Sequence, residues 1–140
     1  MITSSNIGDN GRFGNQLFQF ASLIGIGDKL NYDVVFPKKN LKKINISNTR
    51  EGKTFVAYFE INECFDIDQK YFTNDLVINE RVNERFFHFD ENLFNIKDNT
   101  DVIGYLQSEK YFKHCSDKIM DTLKFKDSIL LSAKSYLPKT

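Results

Sequence analysis

The sequence has little from which to build a metal or disulfide framework: two cysteines and two histidines among 140 residues. Cys64 and Cys115 are far apart and belong to no ligand-spaced cluster, so each reads as a reduced thiol of the kind a reducing cytosol permits. His88 and His114 have no partners at zinc-ligand spacing. No window approaches the ~20 apolar residues that span a bilayer. Met1-Ile2-Thr3-Ser4 carries neither a charged leader nor an apolar h-region, so the sequon Asn45-Ile46-Ser47 has little weight. The expected setting is cytosolic, with no transmembrane segment and with peripheral contact to a membrane left open. Net charge is missing as well, because 19 basic and 19 acidic side chains cancel. Nucleic-acid binding needs a basic surface that displaces counterions from phosphates. Lys38, Lys39, Lys42 and Lys43 form only a local group, which reads as a solvated loop or helix face. No nucleic-acid partner is expected.

What is present is material for a core. Apolar residues make up 41% of the chain and aromatic residues 14%, with 14 Phe and 6 Tyr. A chain near this length buries roughly 68–70% of its unfolded surface, enough for one ordinary domain over residues 1–140. Met1 to Ser5 is β-prone. Gly8, Gly11 and Gly14 then interrupt any regular element. Leu17, Phe20, Ala21 and Ile24 recur at helical steps on one face, predicting a helix that ends near Leu30-Asn31. Asp33 to Phe36 reads as a short buried strand closed by Pro37. Strand, glycine turn, helix and strand begin an α/β unit whose second strand runs parallel to the first.

Lys38 to Lys53 is polar and reads as a loop, with room for a short helix. Thr54 to Ile61, Leu76-Val77-Ile78 and Val102 to Leu106 are strand candidates. Phe86 to Asp90 is aromatic without a clear period. Ser108 can cap a helix that carries Phe112, Cys115, Ile119 and Leu123 on one face. Another helix is expected from Asp127 to Leu137, ahead of Pro138. An α/β alternation would then continue with a strand, so the chain reads as one lobe of something larger.

Chemistry concentrates at Gly11-Arg12-Phe13-Gly14-Asn15-Gln16. A glycine turn feeding a helix lets backbone N–H groups approach an anion, and the helix dipole adds partial positive charge. Arg12 can make a forked contact to a phosphate, while the Asn15 and Gln16 amides can bond sugar hydroxyls or phosphate oxygens. The spacing fits neither the dinucleotide fingerprint G-x-G-x-x-G nor the P-loop. Glycine turns between strand and helix are common, and most bind nothing.

Asn10-Gly11-Arg12-Phe13-Gly14-Asn15-Gln16-Leu17-Phe18-Gln19-Phe20-Ala21 resembles the signature that opens the α-1,2-fucosyltransferases of glycosyltransferase family 11. A second stretch, Ile103-Gly104-Tyr105-Leu106-Gln107-Ser108-Glu109-Lys110-Tyr111-Phe112, is similar to that family too, with Phe87-His88-Phe89-Asp90 ahead of it. The two lie in the family's order and at about its separation, so the likeness spans nearly the whole chain. The shorter core Gly11 to Gln16 is also similar to the matching loop of protein O-fucosyltransferases.

The resemblance implies a Rossmann-like lobe of a GT-B-type glycosyltransferase, GDP-fucose as donor, and the hydroxyl of a glycan, often a galactoside, as acceptor. No metal or other cofactor is implied. Substrate-binding residues carried over by position are Gly11, Arg12, Phe13, Gly14, Asn15 and Gln16, with Gln107 at the strand end that begins the second stretch. The family's carboxyl-terminal half carries a His-x-Arg-Arg-Gly-Asp-type motif that grips the donor phosphates. These 140 residues contain no such motif, so the expected partner is a carboxyl-terminal lobe, in cis or in trans, without which the chain is inactive. A lobe separated from its partner is expected to expose apolar surface. The other readings are a non-catalytic carbohydrate-binding or interaction module and a truncated remnant. Asp9, Asp28, Glu60, Glu63 and Asp66 offer carboxylates for a general base, and the sequence does not choose among them.

Overall fold

The structure, a computed structural model, describes residues 1–9, 12–38, 44–48, 53–57 and 60–138. Lys39, Lys42, Lys43, Asn10 and Gly11 lie outside the described residues.

The architecture is α/β. Helix α1 (Phe13–Leu30) is the longest element. It contains three glycines, which are poor helix formers, so packing rather than propensity must hold it together. Residues 19–27 are all buried, well beyond the single face expected from Leu17, Phe20, Ala21 and Ile24. Other parts of the chain therefore enclose this stretch of the helix. Asn31 ends it in the left-handed conformation (φ 59°), which short polar side chains tolerate.

Ile2 bridges Val34, and Thr3 bridges Asp101, both in parallel. The 34–37 segment ends in β1 (Phe36–Pro37), which pairs in parallel with β5 (Phe72–Thr73). Asp101 lies in β7 (Thr100–Ile103), which pairs in parallel with β6 (Glu80–Asn83). Read across, the parallel order is β5, β1, residues 2–3, β7, β6. Ile2, Phe36 and Val102 are completely buried on this frame. The expected parallel relation of the first two strand segments is therefore present, as short pairings.

Outside this frame, β2 (Ile44–Asn48) and β3 (Lys53–Ala57) form an antiparallel hairpin. A strand thus occupies part of the polar stretch read as a loop, and β3 covers the first part of the strand expected from Thr54 to Ile61, of which residues 58 and 59 lie outside the described residues. Ile61 instead begins the short helix α2 (Ile61–Cys64). Next, β4 (Phe65–Asp66) pairs antiparallel with β8 (Lys124–Phe125).

Four further expectations need correction. Leu76 to Ile78 is not a strand, and Val77 and Ile78 remain exposed. Polar groups set the pairing four residues on: Arg81 Nε lies 3.0 Å from Asp101 Oδ2, directly across from it in the ladder. The Val102 strand begins at Thr100 and ends at Ile103, level with the end of its partner at Asn83, and Leu106, expected within it, is left-handed (φ 52°). The helix expected from Ser108 is broken into 3-10 turns at Glu109–Tyr111 and Lys113–Cys115, followed by α3 (Ser116–Thr122). Ser108 still caps, its side chain accepting from Lys110 N at 3.3 Å. The break follows contact with α1, where the Tyr111 carbonyl is pressed against Gly25. The last helix, α4 (Asp127–Lys134), is shorter than expected and has no buried residue.

Candidate functional site

The loop that enters α1 is anchored at its root. Asp101, fully buried, accepts from the Ser5 backbone N at 2.8 Å and from Ser5 Oγ, while Arg81 balances its charge. The carboxylate fixes where the central strand stops. Gly8 follows at φ 90°, a conformation that favours glycine. Arg12 is the last extended residue, and the first helical hydrogen bond runs from Gln16 N to Arg12 O at 2.9 Å.

The amides of Phe13, Gly14 and Asn15 precede that bond, and among the described residues no hydrogen-bond acceptor for them is found. No carboxylate stands in the first turn, and a methyl placed on Gly14 would touch nothing within 4 Å. Among the described residues, the opening of α1 thus has neither a side-chain cap nor an acid at the positive end of an 18-residue helix.

The side chains around it divide into outward and inward groups. Arg12 is 73% exposed, with Nε 2.6 Å from Glu60 Oε1. Asn15 Oδ1 accepts from Gln107 Nε2. Gln16 is buried, and its Oε1 accepts from Glu60 N at 2.6 Å, so it braces the wall. Phe13 lies parallel to Phe65, ring centroids 6.3 Å apart. Gly11 lies outside the described residues. Among the five carboxylates offered as bases, Glu60 is the one brought to this turn: it touches both Arg12 and Gln16 across 44–48 positions of chain.

The second stretch is sewn along α1. Gln19 Nε2 donates to Gly104 O at 2.9 Å, and Ser22 Oγ donates to Leu106 O at 3.0 Å. A Cβ on Gly25 would stand 2.0 Å from the Tyr111 carbonyl oxygen. Residues 15, 19, 22 and 25 share one helical face, and each meets a member of segment 104–111. Leu106 is fully buried in its left-handed conformation, with its N–H donating to Glu84 Oε1 at 3.2 Å. Such strain persists only where several contacts enforce it. Its effect is to turn Gln107 toward Asn15.

Behind this seam lies a polar network. Asp90 N donates to Tyr111 Oη at 2.8 Å, and Tyr111 donates onward to Glu84 Oε2 at 2.9 Å. Burial, with the Glu84 carboxylate adding to it, holds the phenol proton on well above the ordinary tyrosine range. Hydrogen bonding to Arg85 holds the buried Asp90 carboxyl below the ordinary aspartate value. Tyr111 is therefore packing and wiring, not a surface for ligand.

A cavity of about 370 Å³ sits elsewhere, at the far end of α1 between Asp28, Tyr32, Val34, Tyr71 and Lys118. It touches none of the motif residues. Near that cavity Asp28, His114 and Cys115 bring three metal-type ligand atoms within 4.8 Å of one another. They are already engaged: His114 Nε2 faces Gly25 O at 2.9 Å, Lys118 pairs with Asp28 at 3.3 Å, and Cys115 Sγ donates to Phe112 O at 3.5 Å. Burial raises the Cys115 thiol above its usual value, which disfavours the thiolate a metal needs.

No helix among the described residues is long and apolar enough to cross a membrane. Comparison with protein-family models, with curated proteins and with solved structures returns no match to this chain.

Proposed function

We propose that this chain is the amino-terminal, Rossmann-like lobe of an α-1,2-fucosyltransferase-like enzyme. It would transfer fucose from GDP-fucose to a glycan hydroxyl, often of a galactoside, once joined by a carboxyl-terminal lobe. The observation that carries this reading is the meeting of the two family-like stretches at one edge of the parallel frame. Asn15 and Gln107, 92 residues apart, share a hydrogen bond at the open end of α1. That edge, beyond the carboxyl ends of the strands, is where open α/β sheets take ligands. The unburied α4, with Leu130 and Leu131 exposed and Tyr136 and Leu137 exposed just after it, fits a lobe that lacks its partner surface.

In the transfer, the acceptor hydroxyl oxygen bonds to the anomeric carbon of fucose while the bond from that carbon to GDP breaks. The hydroxyl proton passes to a base, and GDP leaves carrying the electron pair. On this reading the Phe13, Gly14 and Asn15 amides and Arg12 stabilise negative charge growing on the pyrophosphate. Asn15 is the first choice for a direct contact. Loss of one preorganised donor of this kind typically costs ~100–1000-fold in rate.

The test has two steps. Titration of the ¹⁵N-labelled chain with GDP-fucose should shift the Gly14, Asn15 and Gln16 amides. With a carboxyl-terminal fucosyltransferase lobe added, Asn15→Ala should lower fucosyl transfer steeply while the circular dichroism spectrum is kept. Amides that stay unmoved with that lobe present, or unchanged turnover in the variant, sink the reading.

A further inference from the structure

We propose that the loop 84–90 is a sugar-stacking platform, in which the Phe87 ring takes the apolar face of the acceptor pyranose. The proposal rests on the glycosyl-transfer reading for its choice of sugar. The loop itself combines two features that seldom occur together.

Its base is locked. Arg85 makes a two-pronged ion pair with Asp90, Nε to Oδ2 and Nη2 to Oδ1, both 3.2 Å. Asp90 is almost fully buried, and its N–H is held by the Tyr111 hydroxyl. Glu84, at the other end of the loop, is held by Tyr111 and by Leu106 N, and its own N–H donates to Ile103 O at 2.8 Å. Phe89 is anchored against Tyr111 and Phe94.

Its tip is bare. Phe87 is 96% exposed, and Phe86 beside it is 44% exposed. His88 stacks on Phe86 with centroids 4.7 Å apart, and the Arg85 guanidinium stands 5.0 Å from the same ring. Folding gains nothing from displaying Phe87 in this way, and desolvating Asp90 to brace the loop has a cost. An exposed ring next in the chain to a second ring that is flanked by N–H donors has a matching ligand. One face of a galactoside is lined with C–H groups that suit the negative face of an aromatic ring, and its rim carries hydroxyls for Arg85 and His88.

Position supports the same occupant. Glu84 follows β6 at the same edge of the sheet as the α1 opening, and it grips Leu106, whose neighbour Gln107 reaches Asn15. A lone ring with a charged rim is also a poor base for a protein contact, which calls for a continuous apolar patch.

The experiment is a titration of the labelled 140-residue chain with methyl β-galactoside, read at backbone amides 84–90 and at the phenylalanine ring signals. We expect the Phe86 and Phe87 rings and the Arg85 and His88 amides to shift. Phe87→Ala should weaken binding about tenfold, and Phe87→Trp should restore it. An unshifted loop, or equal affinity in Phe87→Ala, overturns the platform. So does a Phe87→Ala variant that only loses self-association by light scattering, which would make the tip a contact between copies. GDP-fucose, read at Gly14 to Gln16, keeps the two ideas separable. Donor shifts without galactoside shifts remove the platform alone, and galactoside shifts without donor shifts keep the platform and remove the transfer reading.

Discussion

The two ends of α1 are built on opposite plans. At the carboxyl end everything is closed. Asn31 takes the left-handed cap, Tyr32 N bonds Gly27 O at 2.9 Å, and Lys29 stands in the last turn where a cation favours the dipole. Gly27 is there for space, since a Cβ would lie 2.4 Å from Val34 Cγ2. At the amino end there is no side-chain cap and no acid, and Gly14 faces open space. One end is satisfied within the protein, and at the other no described side chain caps the first turn. Glycine serves both plans, so its count in a sequence says little until each one's surroundings are known.

The sharpest way to separate glycines that pack from glycines that open is Gly25→Ala. Its Cβ would meet three backbone atoms within 2.8 Å, and backbone cannot swing aside as a flexible side-chain end can. We expect a loss of about 3 kcal/mol, set against a gain of about 1 kcal/mol for a glycine-to-alanine change in an unobstructed helix. Urea denaturation of the two proteins measures this. A wild-type-like midpoint would mean that segment 109–115 is not held against α1.

The wiring behind the seam should respond next. Tyr111→Phe removes the hydroxyl that both accepts from Asp90 N and donates to Glu84, leaving buried polar groups unpaired. The expected cost is about 1–3 kcal/mol by the same denaturation measurement. A neutral result would assign Asp90 and Glu84 to solvent.

Acid should probe the ion pair at that wiring. The Asp90 carboxyl is lowered in the folded protein, chiefly by hydrogen bonding to Arg85, so the unfolded chain binds its proton at higher pH. The stabilisation is present above the unfolded value, about pH 4, and is lost as pH falls through the folded one. Asp98, lowered by its bond to the amino terminus, adds a second loss in the same direction. Asp90→Asn should be less stable at neutral pH and show a flatter decline as pH falls below about 4. An identical acid limb would remove Asp90 from the balance.

Legibility in the sequence followed locality. The end of α1 near Leu30-Asn31 was readable because apolar spacing is a local signal, whereas the strand expected over Asp33 to Phe36 is a bridge at Val34 and a short β1 that includes Pro37. Edge strand β6 was missed because only Val82 in it is even half-buried, and its register depends on Arg81 reaching Asp101 across the ladder. The 108–123 segment carried a sound helical period, which Gly25 overrode by pulling Tyr111 against α1. At the site, the glycine turn could be read from its own residues. The pairing of Asn15 with Gln107 and the arrival of Glu60 beside Arg12 could not, since each joins residues more than forty positions apart.

Gly14→Ala should have the smallest effect on folding and the most telling one on binding. The new methyl meets no atom within 4 Å, and alanine is the better helix former, so stability should stay level or rise by at most about 1 kcal/mol. The methyl nevertheless stands on the exposed side of the first turn, beside amides that a pyrophosphate must approach closely. GDP-fucose shifts at Asn15 and Gln16 should therefore weaken in a protein whose melting temperature has not fallen. Stability and binding that move together would mean Gly14 matters only to the helix. If they part, the amino end of α1 is open for a ligand's sake, as its empty surroundings and the packed ones at Gly25 and Gly27 already distinguish.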